Sequence, residues 1–196
     1  MGLGRIRRRW PFAIPAAGVL LGAALFLAGG TVPEVVDGTA GRDVMSGGPT
    51  IDGISGRAGD DTLYGAGGSD GLLGNAGDDR LHTGGVGGAA QGGPGTDDLL
   101  GGYGLDRLDG GAGVDDLSGR AGDDRLEGGA GDDDLGGGAG DDSLFGESGR
   151  DSLAGGEGDD FIHAADGMPE TVDCGPGDED AAETDDFDET VGCETT

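Results

Sequence analysis

The sequence predicts a solenoid, a fold in which short repeats stack along one axis. Three observations lead to this prediction. From residue 38 to residue 163 the chain keeps a nine-residue period over fourteen consecutive units. Glycine, aspartate and a large aliphatic residue recur at fixed positions of the units, and glycine alone contributes 50 of the 196 residues. Several constraints held in phase for this long are typical of repeat architectures, whereas composition alone would indicate a disordered acidic chain.

Four positions of the nine are constrained, as in the unit GGAGDDDLG at 128–136. Position 1 is Gly in thirteen of the fourteen units and position 4 is Gly in twelve. Position 6 is Asp in thirteen units, and position 8 is Leu, Ile or Met in thirteen. The unit 83–91, TGGVGGAAQ, breaks the pattern because Val86, Gly88 and Ala90 replace the glycine, the aspartate and the large aliphatic residue.

These units resemble the hemolysin-type, or RTX, nonapeptide G-G-x-G-x-D-x-U-x over about two thirds of the chain. The resemblance implies an all-β fold, a parallel β-roll (a β-solenoid) in which two nonapeptides form one turn. Fourteen units then give about seven two-repeat turns. The resemblance also implies that Ca²⁺ lies between turns, held by position-6 carboxylates and by backbone carbonyls of the glycine-rich bends.

The metal ligands that the resemblance implies fall into two columns, since every second unit lies on the same side of the roll. The first column is Asp43, Asp61, Asp79, Asp97, Asp115, Asp133 and Asp151. The second column is Asp52, Asp70, Gly88, Asp106, Asp124, Asp142 and Asp160. Adjacent Asp–Asp pairs allow up to about ten interior Ca²⁺ ions. We expect unit 83–91 to be a weak joint between 38–82 and 92–163, and restoring Asp at Gly88 and Leu at Ala90 to raise calcium affinity.

The individual positions agree with this arrangement. Glycine permits the sharp bend expected over positions 1 to 6, and positions 7 to 9 are expected to form a short strand. Because side chains alternate faces along a strand, positions 6 and 8 face the interior and positions 5 and 7 face water. One aliphatic residue per unit gives only a narrow apolar core, so folding should be coupled to metal binding. Oxygen-only ligands favour Ca²⁺ over Mg²⁺, and no clustered Cys or His is available for zinc.

The flanking segments differ from the repeats. Residues 1–30 combine a basic start, an apolar run and small residues, which predicts a signal peptide or, if it is not cleaved, an N-terminal anchor. A short linker, 31–37, follows. Residues 164–196 form an acidic tail in which Cys174 and Cys193 are predicted to form a disulfide. We expect a small disulfide-stapled cap, with a loose acidic tail as the alternative, and a solvated acidic run rather than further calcium sites.

The predicted function is that of a secreted, extracellular calcium-binding protein that acts as a structural, surface or interaction module and is not an enzyme. A formal charge of −29 disfavours nucleic acid as a partner, and no membrane insertion of the mature chain is expected unless the N-terminal segment stays as an anchor. Calcium is the one partner that the sequence indicates, and the sequence gives no indication of a protein partner. Two alternatives stay open: a disordered acidic calcium buffer, and the remnant of an RTX hydrolase or toxin that lacks its catalytic module.

Overall fold

The chain folds into a parallel β-roll, as predicted. The computed structural model describes residues 24–27, 33 and 35–193, and of residues 24–27 only the backbone is described. Two sheets of parallel strands lie back to back, one with ten strands and one with nine. Successive strands alternate between the two sheets, so each pair of strands completes one turn. Within the described ranges the chain forms no helix that is long and apolar enough to cross a membrane.

The first sheet contains the odd-numbered strands, in the order in which they occur along the chain. These are β1 (Ala24–Leu27), β3 (Asp43–Ser46), β5 (Thr62–Tyr64), β7 (Arg80–His82), β9 (Asp98–Leu100), β11 (Asp116–Ala121), β13 (Asp134–Ala139), β15 (Ser152–Glu157), β17 (Thr171–Asp173) and β19 (Glu189–Val191). The second sheet contains β2 (Val35–Asp37), β4 (Gly53–Ala58), β6 (Gly71–Ala76), β8 (Ala89–Gly95), β10 (Arg107–Gly113), β12 (Arg125–Ala130), β14 (Ser143–Ser148), β16 (Phe161–His163) and β18 (Ala181–Glu183).

The register between strands is the offset of two nonapeptides that the sequence predicts. Leu117 pairs with Leu135, and Leu135 pairs with Leu153. The position-8 side chains therefore stack into a narrow apolar core, and all of them are buried. This core consists of Met45, Ile54, Leu63, Leu72, Leu81, Ala90, Leu99, Leu108, Leu117, Leu126, Leu135, Leu144, Leu153 and Ile162.

Two details differ from the predicted roll. The seven predicted turns become about nine, because strands outside 38–163 pair with both ends of the roll. Many strands are also longer than positions 7 to 9: β13, for example, continues through the first three positions of the next unit. The bend is correspondingly shorter. Positive φ occurs within it at position 4, as at Gly131 (φ 135°), and also at position 2 of the extended strand, as at Gly129 (φ 112°).

The acidic tail adds three strands that continue the two sheets and cover the edges of the last repeat strands. Strand β17 pairs with β15, β18 with β16, and β19 with β17. The predicted disulfide between Cys174 and Cys193 is present, with the two Cα atoms 5.1 Å apart. It joins the segment after β17 to the segment after β19, so the last turn of the roll is covalently closed.

Candidate metal centre

The position-6 aspartates lie at the start of the strands, and their side chains point between the turns. All thirteen are buried, with exposed fractions from 0% to 4%. The structure thus brings every sequence-predicted metal ligand to the interior of the roll. They form the two predicted columns, one beside each sheet: Asp43, Asp61, Asp79, Asp97, Asp115, Asp133 and Asp151 beside the first sheet, and Asp52, Asp70, Asp106, Asp124, Asp142 and Asp160 beside the second.

One carboxylate oxygen of these aspartates is used to join neighbouring turns. The backbone N–H of Asp115 donates to Oδ1 of Asp133 at 2.8 Å, and the N–H of Asp133 donates to Oδ1 of Asp151 at 2.9 Å. The same bond recurs at 2.7–2.9 Å between every pair of aspartates that are 18 residues apart in either column. The ladder of hydrogen bonds fixes each carboxylate in one orientation.

The other carboxylate oxygen is what marks these residues as ligands. In nine of the aspartates Oδ2 is buried and accepts no hydrogen bond. A buried carboxylate oxygen without a partner is costly unless a cation neutralises it. The nine are Asp61, Asp70, Asp79, Asp97, Asp115, Asp124, Asp133, Asp142 and Asp160.

The position-1 glycines complete the arrangement with backbone oxygens. A Cβ placed on Gly110 would lie 2.6 Å from Oδ2 of Asp115 and 2.7 Å from the carbonyl oxygen of Gly128. A Cβ on Gly128 would likewise meet Oδ2 of Asp133 at 2.7 Å and the carbonyl oxygen of Gly146 at 2.9 Å. A carboxylate and a carbonyl oxygen from successive turns therefore converge on space that only glycine leaves open. Such oxygen-only donors fit Ca²⁺.

Burial and mutual repulsion raise the pKa of ten carboxyls in these columns: Asp61, Asp70, Asp79, Asp97, Asp115, Asp124, Asp133, Asp142, Asp151 and Asp160. Burial is the larger cause; the backbone hydrogen bond from the previous turn opposes it, and the neighbouring carboxylates add to the rise. The pKa of Asp79, Asp97, Asp115, Asp124 and Asp133 rises from 3.8 to about 6, and the pKa of Asp142 rises to about 7. Without a cation, the roll therefore holds protons at acidic pH that an unfolded chain would release.

The interrupted unit keeps the strand register but changes the ladder. Strand β8 pairs with both β6 and β10 at the regular offset, so the backbone of the roll passes through 83–91 without a break. At Gly88 no carboxylate is present, and the Oγ1 of Thr83, which is fully buried, donates to Oδ1 of Asp106 at 2.7 Å. A threonine hydroxyl thus replaces the backbone donor that Asp106 would otherwise have.

The tail adds buried acids to both columns, which the sequence reasoning missed. Glu170 and Asp180 are each 3% exposed, and the N–H of Asp160 donates to Oδ1 of Asp180 at 2.9 Å. The N–H of Glu170 donates to Oδ1 of Asp188 at 3.2 Å. One pattern in the sequence could have predicted Glu170: it lies two residues before the aliphatic Val172, just as each position-6 aspartate lies two residues before the position-8 aliphatic residue.

Position 5 faces water, as expected, but its aspartates also bond to the next turn. Asp78 and Asp132 are exposed, yet Oδ1 of Asp78 accepts the N–H of Thr96 at 3.0 Å and Oδ1 of Asp132 accepts the N–H of Arg150 at 3.0 Å. The Arg150 guanidinium also holds the pKa of the Asp132 carboxyl below its usual value. Alternation along a strand predicts the face of a side chain but not these bonds between turns.

Fold and site together define a class of protein: a parallel β-roll that carries a structural calcium-binding module. The family model for the RTX calcium-binding nonapeptide repeat matches the chain at 29–50, 37–72, 46–81, 91–126, 109–144 and 136–167. These segments cover more than half of the chain, which therefore belongs to the RTX calcium-binding repeat family. The residues left unmatched between them, 82–90, fall almost entirely within the interrupted unit. No curated protein matches the chain.

Proposed function

We propose that this chain is an extracellular protein whose β-roll folds on binding Ca²⁺ and then acts as a structural, surface or interaction module. The observation that carries the proposal is the row of buried Oδ2 atoms that accept no hydrogen bond. Carboxylates of neighbouring turns repel one another along each column. Bound Ca²⁺ would supply the charge that removes this repulsion.

The proposed ligands are the thirteen position-6 aspartates and the glycine carbonyls beside them. The nine aspartates with an unpartnered Oδ2 would use Oδ1 to hold the previous turn and Oδ2 to bind the ion, so that folding and binding share one side chain. Removing the ion would leave stacked buried carboxylates around a core of one aliphatic residue per unit, and the apolar burial of such a thin core is small. The family membership supports calcium as the metal, and up to about ten ions would fit between adjacent aspartate pairs.

Circular dichroism during a Ca²⁺ titration of the calcium-free chain tests the proposal. We expect a cooperative rise in strand signal at millimolar or lower Ca²⁺, and a much smaller rise with the same concentration of Mg²⁺. The signal should vanish again on adding a chelator. A spectrum that stays disordered through the whole titration would show that the chain is only an acidic buffer.

The extracellular setting is supported by the signal-like N-terminal segment and by the Cys174–Cys193 disulfide, a bond typical of exported proteins. Most of the predicted signal, residues 1–23 and 28–30, lies outside the described residues. The described part, β1, pairs with β3. Cleavage after residue 30 would therefore remove β1 and leave β3 as the last strand of its sheet. Mass spectrometry of the exported chain would locate the cleavage site.

A further inference from the structure

The tail contains an acidic cluster at the C-terminal end of the first column, where Glu170 takes the place of a position-6 aspartate. Carboxylate oxygens of Asp166, Glu170 and Asp185 lie within 4.8 Å of one another. Asp166 is exposed, Asp185 is half-buried and Glu170 is 3% exposed. The family match ends at residue 167, so two of these three residues lie beyond it.

Glu170 is the residue that distinguishes this cluster from an ordinary acidic surface. Both of its carboxylate oxygens are buried, and neither has a hydrogen-bond partner. In the repeats, each aspartate leaves at most one oxygen in that condition, because the other accepts a backbone N–H or is satisfied in another way. A buried carboxylate with both oxygens unsatisfied requires a cation or a proton.

The two other carboxylates are held in place around it. Oδ2 of Asp166 accepts the N–H of Gly149 at 3.1 Å, and its Oδ1 accepts the N–H of Met168 at 2.7 Å. Oδ2 of Asp185 accepts the N–H of Gly167 at 2.7 Å, and its Oδ1 accepts the N–H of Phe187 at 2.9 Å. Each oxygen keeps a further lone pair for a metal. The cluster is therefore oriented before any ion arrives.

No basic side chain of the tail is available to neutralise the cluster. The last arginine of the sequence is Arg150, which pairs with Asp132, and the chain contains no lysine. Asp188 adds a fourth negative charge nearby, and its own oxygens accept the N–H groups of Glu170 and Asp185. Apart from protonation of Glu170, only a cation from solution can then balance these carboxylates.

We propose that Asp166, Glu170 and Asp185 form a calcium site of their own at the C-terminal end of the roll. Three carboxylates, rather than one carboxylate and backbone carbonyls per turn, would hold this ion. More negative ligands generally tighten a calcium site. Asp185 lies within the loop that Cys174 and Cys193 close, so the disulfide keeps it close to the other two ligands. The proposal rests on calcium binding by the chain as a whole.

Native mass spectrometry of the full chain at saturating Ca²⁺ tests this site, because it counts bound ions one by one. Glu170→Gln keeps the shape of the side chain and removes its charge, and we expect this variant to bind one ion fewer than the wild type. Asp185→Asn, at a half-buried position, should also lose one ion. The control is Asp186→Asn, an acid of the same loop that lies outside the cluster, which should lose none.

Circular dichroism of the same samples separates loss of the site from loss of the fold. We expect the strand signal of Glu170→Gln in Ca²⁺ to match that of the wild type. If Glu170→Gln disrupts the roll, the ion count of Asp185→Asn alone decides whether the tail site exists. Wild-type ion counts in both cluster variants would overturn the site while leaving the repeat sites intact. A wild-type chain that binds no Ca²⁺ would instead refute the proposed function and the tail site together.

Discussion

The two columns of aspartates differ in one turn. The first column runs without interruption from Asp43 to Asp151, and each aspartate donates its N–H to the next. The second column stops at Asp70, lacks a carboxylate at Gly88 and resumes at Asp106. Because the strand register is the same on both sides of the gap, the backbone does not depend on the carboxylates turn by turn.

The comparison teaches that strand pairing and charge balance are separate requirements of this roll. The gap removes two like-charge contacts, Asp70 with residue 88 and residue 88 with Asp106, and the two proposed calcium sites between them. Thr83 supplies a neutral donor to Asp106 in exchange. The second column thus needs fewer bound cations than the first, and calcium binding should stabilise it correspondingly less.

The largest effect should come from pH, which acts on both columns at once. The raised pKa values, about 6 to 7 against 3.8, mean that between about pH 4 and 7 the folded calcium-free chain binds more protons than the unfolded chain. Its free energy of unfolding therefore falls as pH rises through that window. We expect calcium-free chain to show strand signal near pH 4.5 and to lose it by pH 7.5.

Calcium should reverse this pH dependence, since protons and Ca²⁺ compete for the same carboxylates. With saturating Ca²⁺ the roll should be most stable near neutral pH and should lose calcium on acidification. Circular dichroism melts at several pH values, with and without Ca²⁺, measure both dependences. Parallel curves in the two conditions would contradict the assignment of these carboxyls as ligands.

A smaller effect should separate single aspartates of the two columns. Asp133 lies between Asp115 and Asp151, so Asp133→Ala removes a carboxylate from two proposed calcium sites. Asp70 has only one neighbouring aspartate in its column, Asp52, so Asp70→Ala affects one proposed calcium site. We expect native mass spectrometry to show two ions lost from the first variant and one from the second. Each should also lose about 1.5–3 kcal/mol of stability in Ca²⁺ from the charged hydrogen bond alone.

The exposed neighbours of Asp133 serve as matched controls. Asp134→Ala should leave ion count and stability unchanged, because Asp134 at position 7 is exposed. Asp132→Ala should keep every ion and lose slightly more stability than Asp134→Ala, since it removes the acceptor of the Arg150 N–H. Equal losses from all three variants would show that the position-6 assignment is wrong.

The sequence predicted the repeats well because one period determines both the fold and the ligands. An offset of two nonapeptides places every position-6 carboxylate in a column and every position-8 aliphatic in the core. The tail was harder, because β17 and β18 pair at longer offsets than the repeats do, as Ser152 with Thr171 and Phe161 with Ala181 show. Because of the extra residues in these bends, Glu170 and Asp180 do not fall at the positions that a fixed nine-residue period predicts.

Contacts between turns were beyond sequence reasoning for a different reason. The bond from Thr83 to Asp106 joins residues of different bends, and it depends on where one bend places a hydroxyl relative to the next turn. The bonds of the position-5 aspartates to backbone N–H groups depend equally on bend geometry. Side-chain alternation predicts the face of a residue, whereas these bonds follow from the three-dimensional path of the glycine-rich segments.

The smallest effect should come from repairing the second column, and here the structure changes the design. The sequence suggests Gly88→Asp with Ala90→Leu. A Cβ on Gly88, however, would lie 2.8 Å from the carbonyl oxygen of Asp70 and 3.2 Å from Cβ of Thr83. Thr83 also donates to the Oδ1 of Asp106 that the N–H of residue 88 would need.

We therefore expect Thr83→Gly, added to Gly88→Asp and Ala90→Leu, to bring the column closer to repair than the double variant, while the contact of residue 88 with the carbonyl oxygen of Asp70 stays in both variants. The triple variant should bind up to two more ions than the wild type, and its calcium titration should become steeper. The double variant should gain less, because Thr83 still crowds the new carboxylate and holds Asp106. Ion counts and titration slopes of the two variants measure this difference. A double variant that equals the triple would show that Thr83 does not limit the second column.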